Sequence, residues 1–193
     1  EFCVSTGGLD VAEQFAALPF AHLFFTGSEA IGKKVMRAAA ENLTPVTLEL
    51  GGKTPAIIDA SAKLKDAAAA ITYGKLLNSG QTCIAPDYVL AEPNQLDALI
   101  EELQASAQLQ FSNPEELTGP IDDEQLQRWQ HLVADALDRG AKAIGLLNNP
   151  TAGARRFEPV ALINVPPEAR VLHEEIFGPI LPILTANNTA EAI

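Results

Sequence analysis

The sequence predicts an α/β fold, with a mostly parallel open sheet and flanking helices. Short apolar runs of strand length alternate along the chain with longer stretches whose apolar residues recur at helical spacing. Glycine, proline or asparagine marks many of the junctions between them, and no internal repeat or low-complexity segment points to another architecture.

Taken in order, Phe2-Cys3-Val4 reads as the end of a strand, followed by a turn at Gly7-Gly8 and a short helix over Val11–Leu18. His22–Thr26 is a short apolar strand. Gly27-Ser28 then opens a helix in which Ser28 is the N-cap and Ile31, Val35 and Ala39 line one face as far as Asn42. Val46–Leu50 alternates, which sets Glu49 on the face opposite Leu48 and Leu50. Ala56–Asp59 is a strand, Leu64–Leu77 a helix ending before Ser79-Gly80, and Asp87–Ala91 a further strand. Gln95–Gln108 after Pro93 is an amphipathic helix, solvated on one side and packed on the sheet by the other. Asn113–Pro120 is loop, and Asp123–Arg139 is a helix stopped by Gly140. Ala143–Leu147, Val160–Val165 and Ile180–Leu184 complete the strands, with Asn148–Gly153 a turn-rich connection. Thr189 reads as an N-cap with almost no helix behind it. Both ends therefore read as cut within elements, and the expectation is an excised piece of a longer protein.

A chain of 193 residues is long enough for a substantial core, as one domain or parts of two. Its net charge of −12, with acids spread along the chain, argues against nucleic acid, which requires basic patches. Two cysteines, Cys3 and Cys83, make no disulfide framework and point to a reducing, cytoplasmic setting. No run of about 20 apolar residues could span a bilayer. His22, His131 and His173 fit no metal-ligand spacing, so no metal is expected.

The residues that carry chemistry are Cys83, in Asn78-Ser79-Gly80-Gln81-Thr82-Cys83, and Glu49, in Leu48-Glu49-Leu50-Gly51-Gly52-Lys53. A thiolate in a turn after a helix is a reachable nucleophile, and a carboxylate beside two glycines can serve as its general base. A free cysteine is otherwise most often a buried core residue, the reading given to Cys3. Gly27-Ser28 at a helix start suits a phosphate, or is a plain N-cap.

Four strings, in order, resemble the aldehyde dehydrogenase family: Phe25-Thr26-Gly27-Ser28, Leu48-Glu49-Leu50-Gly51-Gly52-Lys53, Gly80-Gln81-Thr82-Cys83 and Glu174-Glu175-Ile176-Phe177-Gly178-Pro179. The wording Gln81–Tyr88 is similar to the branch acting on medium-chain, fatty and aromatic aldehydes, coniferyl aldehyde dehydrogenases included. The resemblance implies oxidation of a small-molecule aldehyde by NAD or NADP through a cysteine thiohemiacetal and thioester. Cys83 is then the nucleophile and Glu49 the general base. Thr26, Gly27, Ser28, Leu50, Glu175 and Phe177 are the cofactor residues: Ser28 contacts phosphate, Glu175 holds the nicotinamide ribose hydroxyls and Phe177 packs beside the ring.

It also implies that residues 1–50 are the tail of a nucleotide-binding domain and 51–193 most of a catalytic domain. The asparagine that completes the oxyanion hole and a lysine at the adenosine ribose would lie upstream, leaving the cofactor site incomplete in this chain. The full-length protein is expected to be a homodimer or homotetramer. Two other functions fit the same residues: a cofactor-free thiol hydrolase, in which Cys83 and Glu49 cleave activated esters, and a non-catalytic module that keeps the fold.

Overall fold

The structure, a computed structural model, describes residues 2–148 and 155–193. The chain forms two compact units, Glu1–Gly51 and Gly52–Ile193.

The first unit is a strand–helix–strand module preceded by a helix. Helix α1 (Leu9–Ala16) leads to β1 (Leu23–Gly27), α2 (Glu29–Ala40) and β2 (Val46–Leu50). The two strands pair in parallel, with Leu23 beside Val46 and Thr26 beside Glu49. Ser28 caps α2 as expected, its Oγ accepting from the Ile31 N–H at 3.4 Å. Ala16, Leu23 and Val35 are buried together, with Phe20, Phe25, Ala38 and Val46 partly buried against them. A Cβ on Gly32 would meet Leu50 at 3.0 Å, so this glycine lets α2 lie close on the strand that carries Glu49. Phe2-Cys3-Val4 forms no strand and is exposed. A strand exists only as part of a ladder, and β1 pairs with β2 rather than with this segment. Cys3, expected in the core, is exposed with it.

The second unit contains β3 (Pro55–Ile57), α3 (Leu64–Leu76), β4 (Tyr88–Ala91), α4 (Leu96–Gln110), α5 (Asp123–Asp138), β5 (Lys142–Gly145), β6 (Val160–Ile163), β7 (Ile180–Thr185) and α6 (Thr189–Ala192). Among the described residues its sheet has five strands in the order β3-β4-β7-β6-β5, parallel except where β5 meets β6. Alternation along the strands divides the core in two. Val89, Ala91, Ala161, Leu181 and Ile183 join one cluster with Ile71 and Leu76 of α3 and Leu99 and Leu103 of α4. Leu162 and Ile180 turn the other way and join Trp129, Leu132 and Ala136 of α5. The period-2 pattern of β6 and β7 thus buries both faces, as a sheet sandwiched between helices requires.

Pro182 lies inside the central strand, where a missing N–H should break a ladder. It sits where β7 changes partner. Residues Ile180–Pro182 pair with β6, and Ile183–Thr185 pair with β4. At the other end, Asn188 rather than Thr189 caps α6, accepting from the Glu191 N–H at 3.0 Å. The Thr189 hydroxyl is instead hydrogen-bonded to Asp59 at 2.6 Å. The Asn148–Gly153 connection lies largely outside the described residues.

Candidate active site

Cys83 follows α3 through a tight single turn at Leu77–Gly80. Asn78, Ser79 and Gly80 all have positive φ, 50°, 52° and 71°. Three such residues in a row are costly for two non-glycines and persist only where the surroundings over-determine them. Here they are over-determined. The Asn78 side-chain amide donates to the Gln81 carbonyl at 3.1 Å, and that of Gln81 donates to the carbonyls of Asn78 and Gly119 at 3.1 and 3.0 Å. Gln81 Oε1 accepts from the Ile121 N–H at 3.0 Å, and the Ser79 hydroxyl donates to the Thr118 carbonyl. Beyond this fixed turn Cys83 and Ile84 are exposed, while Ala85 is buried. The helix therefore ends in a rigid turn that delivers a free thiol to the surface.

The segment Glu174-Glu175-Ile176-Phe177-Gly178 packs directly on that turn. A Cβ on Gly80 would lie 2.5 Å from the Gly178 carbonyl oxygen, and one on Gly178 would overlap the Trp129 indole. Four carbonyls in a row accept from side chains: Glu174 from Lys53 at 3.0 Å, Glu175 and Ile176 from the two arms of Arg128, and Phe177 from Trp129 Nε1 and Gln125, each at 3.1 Å. The Ile176 N–H donates to buried Asp87 Oδ1 at 2.8 Å. Asp87 Oδ2 takes the Lys53 ammonium, which also reaches the Val171 carbonyl at 2.9 Å. Ile176 is buried, Glu175 half-buried and Phe177, with φ 48°, exposed.

Below this junction lies Lys75, 1% exposed. Burial pushes its ammonium down to about 8, with Lys53 acting in the same sense and the Asp87 and Glu175 carboxylates opposing.

The remaining candidates gather in the first unit. Thr26 and Glu49 are register partners, as are Gly27 and Leu50, and the Glu49 side chain is exposed while Leu48 and Leu50 are half-buried. Ser28 follows at the start of α2, whose free N–H groups carry the positive end of the helix dipole. Thr26, Gly27, Ser28, Glu49 and Leu50 thus lie together within one unit. The segments of Cys83, Glu175 and Phe177 lie together within the other.

His22 Nε2 is 2.9 Å from the Thr47 hydroxyl and His173 Nε2 is 2.7 Å from the Pro167 carbonyl, both local contacts. Among the described residues no group of three or more His, Cys, Asp or Glu is placed to hold a metal ion, and no helix is long and apolar enough to cross a membrane.

The sequence profile of the aldehyde dehydrogenase family matches residues 2–193. The chain belongs to the aldehyde dehydrogenase family. It is 43% identical to the probable coniferyl aldehyde dehydrogenase of Pseudomonas aeruginosa, a match that covers 100% of this chain and 41% of that protein. Among solved structures it resembles the substrate-bound state of Staphylococcus aureus AldH, with a TM-score of 0.87 and 37% identity over 96% of this chain and 41% of the other. It also resembles a 3,6-anhydro-L-galactose dehydrogenase in complex with NAP, with a TM-score of 0.85 and 29% identity over 97% of this chain and 42% of that one. The chain thus spans about two fifths of the length of these aldehyde dehydrogenases.

Four supporting residues were not singled out from sequence: Lys53, Asp87, Arg128 and Trp129. Lys53 and Asp87 stand inside the quoted strings, as the lysine after Gly51-Gly52 and the aspartate after Pro86. A charged residue at the mouth of an apolar strand was the available signal. Arg128 and Trp129 carried none beyond their places in a helix.

Proposed function

We propose that this chain carries the nucleophile and part of the cofactor site of an NAD- or NADP-dependent aldehyde dehydrogenase that oxidises aldehydes to carboxylic acids. One observation carries the reading. The exposed Cys83 stands on a rigid turn whose Gly80 is packed against Gly178, which locks the nucleophile's segment to that of Glu175 and Phe177.

The residues present fit a dinucleotide. Gly27 and Ser28 offer N–H groups at the start of a twelve-residue helix, which suit a pyrophosphate, with Thr26 and Leu50 beside them in the β1–β2 register. The Glu175 carboxylate is a natural acceptor for two vicinal ribose hydroxyls, and the exposed Phe177 ring is free to pack against a flat heterocycle. When bound, the nicotinamide supplies the hydride acceptor. Cys83, as thiolate, adds to the aldehyde carbon, forming a C–S bond and leaving the oxygen as an alkoxide. Loss of hydride converts this thiohemiacetal into a thioester on Cys83. Glu49 takes a proton from the water that attacks the thioester, the C–S bond breaks, and the acid departs as the thiol is restored.

An aromatic or medium-chain aldehyde is the substrate class favoured by the relatives named for coniferyl aldehyde. The complete protein is proposed to act as a homodimer or homotetramer in a reducing compartment such as the cytoplasm, where an exposed thiol stays free.

The test is formation of reduced nicotinamide by the full-length polypeptide with an aromatic and a medium-chain aldehyde. Turnover is expected, and none from Cys83→Ala. Glu49→Gln is expected to keep a single acylation burst and to lose steady turnover by roughly 10²–10⁴-fold. Ester cleavage indifferent to NAD or NADP, with no aldehyde oxidation, would establish a thiol hydrolase instead. A folded protein with neither activity would be a non-catalytic module.

A further inference from the structure

The loop Glu174–Phe177 is held almost entirely by side chains distant in sequence. Its four carbonyls are taken by Lys53, Arg128, Trp129 and Gln125, and its Ile176 N–H by Asp87. None of these bonds uses the side chain of Glu175 or Phe177. The backbone is clamped from two directions: from the strand β4 side by Asp87, paired with Lys53, and from α5 by Arg128. An Arg guanidinium can span two successive carbonyls, which a Lys ammonium, a point charge, cannot do with the same geometry.

We propose that Asp87 and Arg128 are positioning residues that aim Glu175 and Phe177 at the nicotinamide half of the cofactor by fixing the main chain between them. The proposal rests on the functional reading above for what Glu175 and Phe177 hold. The clamp is independent of that reading. Asp87 lies four residues after Cys83, so the same carboxylate ties the nucleophile's segment to the ribose-binding loop. Lys53 joins the Leu48–Lys53 string to both through Asp87 and the Val171 and Glu174 carbonyls. Two of the four strings that identify the family, Leu48–Lys53 and Glu174–Pro179, thus meet at the ion pair of Lys53 with the buried Asp87.

The experiment uses the full-length protein and the variants Asp87→Ala, Asp87→Asn and Arg128→Lys. Three quantities are read: KM for NAD or NADP against kcat, alkylation of Cys83 by iodoacetamide, and amide hydrogen exchange across 174–177. Arg128→Lys and Asp87→Ala are expected to raise the cofactor KM and speed local exchange by about tenfold or more, because a small misplacement of a positioning loop is costly. Alkylation of Cys83 should change by less than about twofold, since its turn has separate ties to Thr118, Gly119 and Ile121. Asp87→Asn keeps an acceptor for the Ile176 N–H and should fall between wild type and Asp87→Ala.

A lower melting temperature with unchanged cofactor KM and unchanged exchange at 174–177 would overturn the proposal, because it would reduce both residues to general stability. If Asp87→Ala does not fold, Arg128→Lys and Asp87→Asn decide. If the wild-type protein oxidises no aldehyde, the functional reading fails, and the exchange data alone decide whether the clamp exists.

Discussion

At Gly80 the backbone has φ 71° and a Cβ would lie 2.5 Å from the Gly178 carbonyl oxygen, so Gly80→Ala meets two separate costs. The left-handed conformation alone costs a residue with a Cβ about 1–2 kcal/mol. The overlap adds to this, since both contacting groups are backbone and neither can rotate away. Gly80→Ala is therefore expected to lower stability by more than about 2 kcal/mol and to change the alkylation rate of Cys83, checked by urea unfolding and thiol kinetics. An unchanged midpoint would mean that the turn is looser than its hydrogen bonds imply. Lys75 gives a prediction with a pH signature. Its folded pKa is about 8 against an ordinary 10.5, so below pH 8 it is charged in both states and its burial penalty is fully present. Between about 8 and 10.5 the folded protein has released the proton while the unfolded chain still binds it, so this group makes stability rise with pH. Lys75→Met removes that dependence. The stability of the variant relative to wild type should be highest below pH 8 and should decline by about 3 kcal/mol on going above 10.5, measured by denaturant melts across that range. A difference that is flat with pH would show that the ammonium is not desolvated.

Helix α5 supplies Gln125, Arg128 and Trp129 to the loop of Glu175 and Phe177, so the integrity of its first turns bears on the site. Asp122 caps it, with Oδ1 accepting from the Gln125 N–H at 2.7 Å, and Asp123 and Glu124 in the first turn suit the helix dipole. Asp122→Ala is expected to cost about 1 kcal/mol, and Asp122→Asn much less. For a chain of this size that corresponds to a fall in melting temperature of about 2–4 °C, read by thermal unfolding. The helices and strands were legible because their burial follows simple periods: Leu99, Leu103 and Ala107 at helical spacing, Ile180 against Leu181 at strand spacing. Pro182 did not hide β7, because its missing N–H falls where the strand changes partner. Phe2-Cys3-Val4 was misread because apolar character signals a preference for burial, whereas a strand also needs a neighbour. At the site, the strings carrying Cys83, Glu49, Ser28, Glu175 and Phe177 could be recognised in sequence. The clamp of Asp87 and Arg128 could not. Its bonds run from side chain to backbone across 89 and 47–48 residues, and no local period encodes such a contact.

The two units differ in how much core they own. In the first, Ala16, Leu23 and Val35 form the buried cluster, and a two-stranded sheet carries it. Such a sheet is marginal in water unless much apolar surface is covered. Phe24 at 64%, Met36 at 51% and Phe15 at 45% exposed show how much is not. An open cavity of about 740 Å³ runs between α1, α2 and β1, lined by Phe15, Phe24, Phe25, Ile31 and Val35 among others. The second unit buries both faces of its sheet, with Leu181, Ile183 and Ile180 of β7 at or near zero exposure. Local opening free energy follows buried apolar contact, so protection from exchange should be unequal along this chain. In the 193-residue polypeptide, amides of β2 are expected to exchange roughly 100-fold faster than those of β7, measured by hydrogen exchange under native conditions. Because β2 bears Glu49 and the start of α2 bears Ser28, the proposed general base and the proposed phosphate contact would then sit on the less stable unit. In the full-length protein, saturating NAD or NADP should slow exchange in β2 if Gly27 and Ser28 hold its pyrophosphate, since a ligand that binds only the folded form stabilises it by mass action. Equal protection of β2 and β7 without ligand would show that the small cluster of Ala16, Leu23 and Val35 is sufficient to hold the first unit closed.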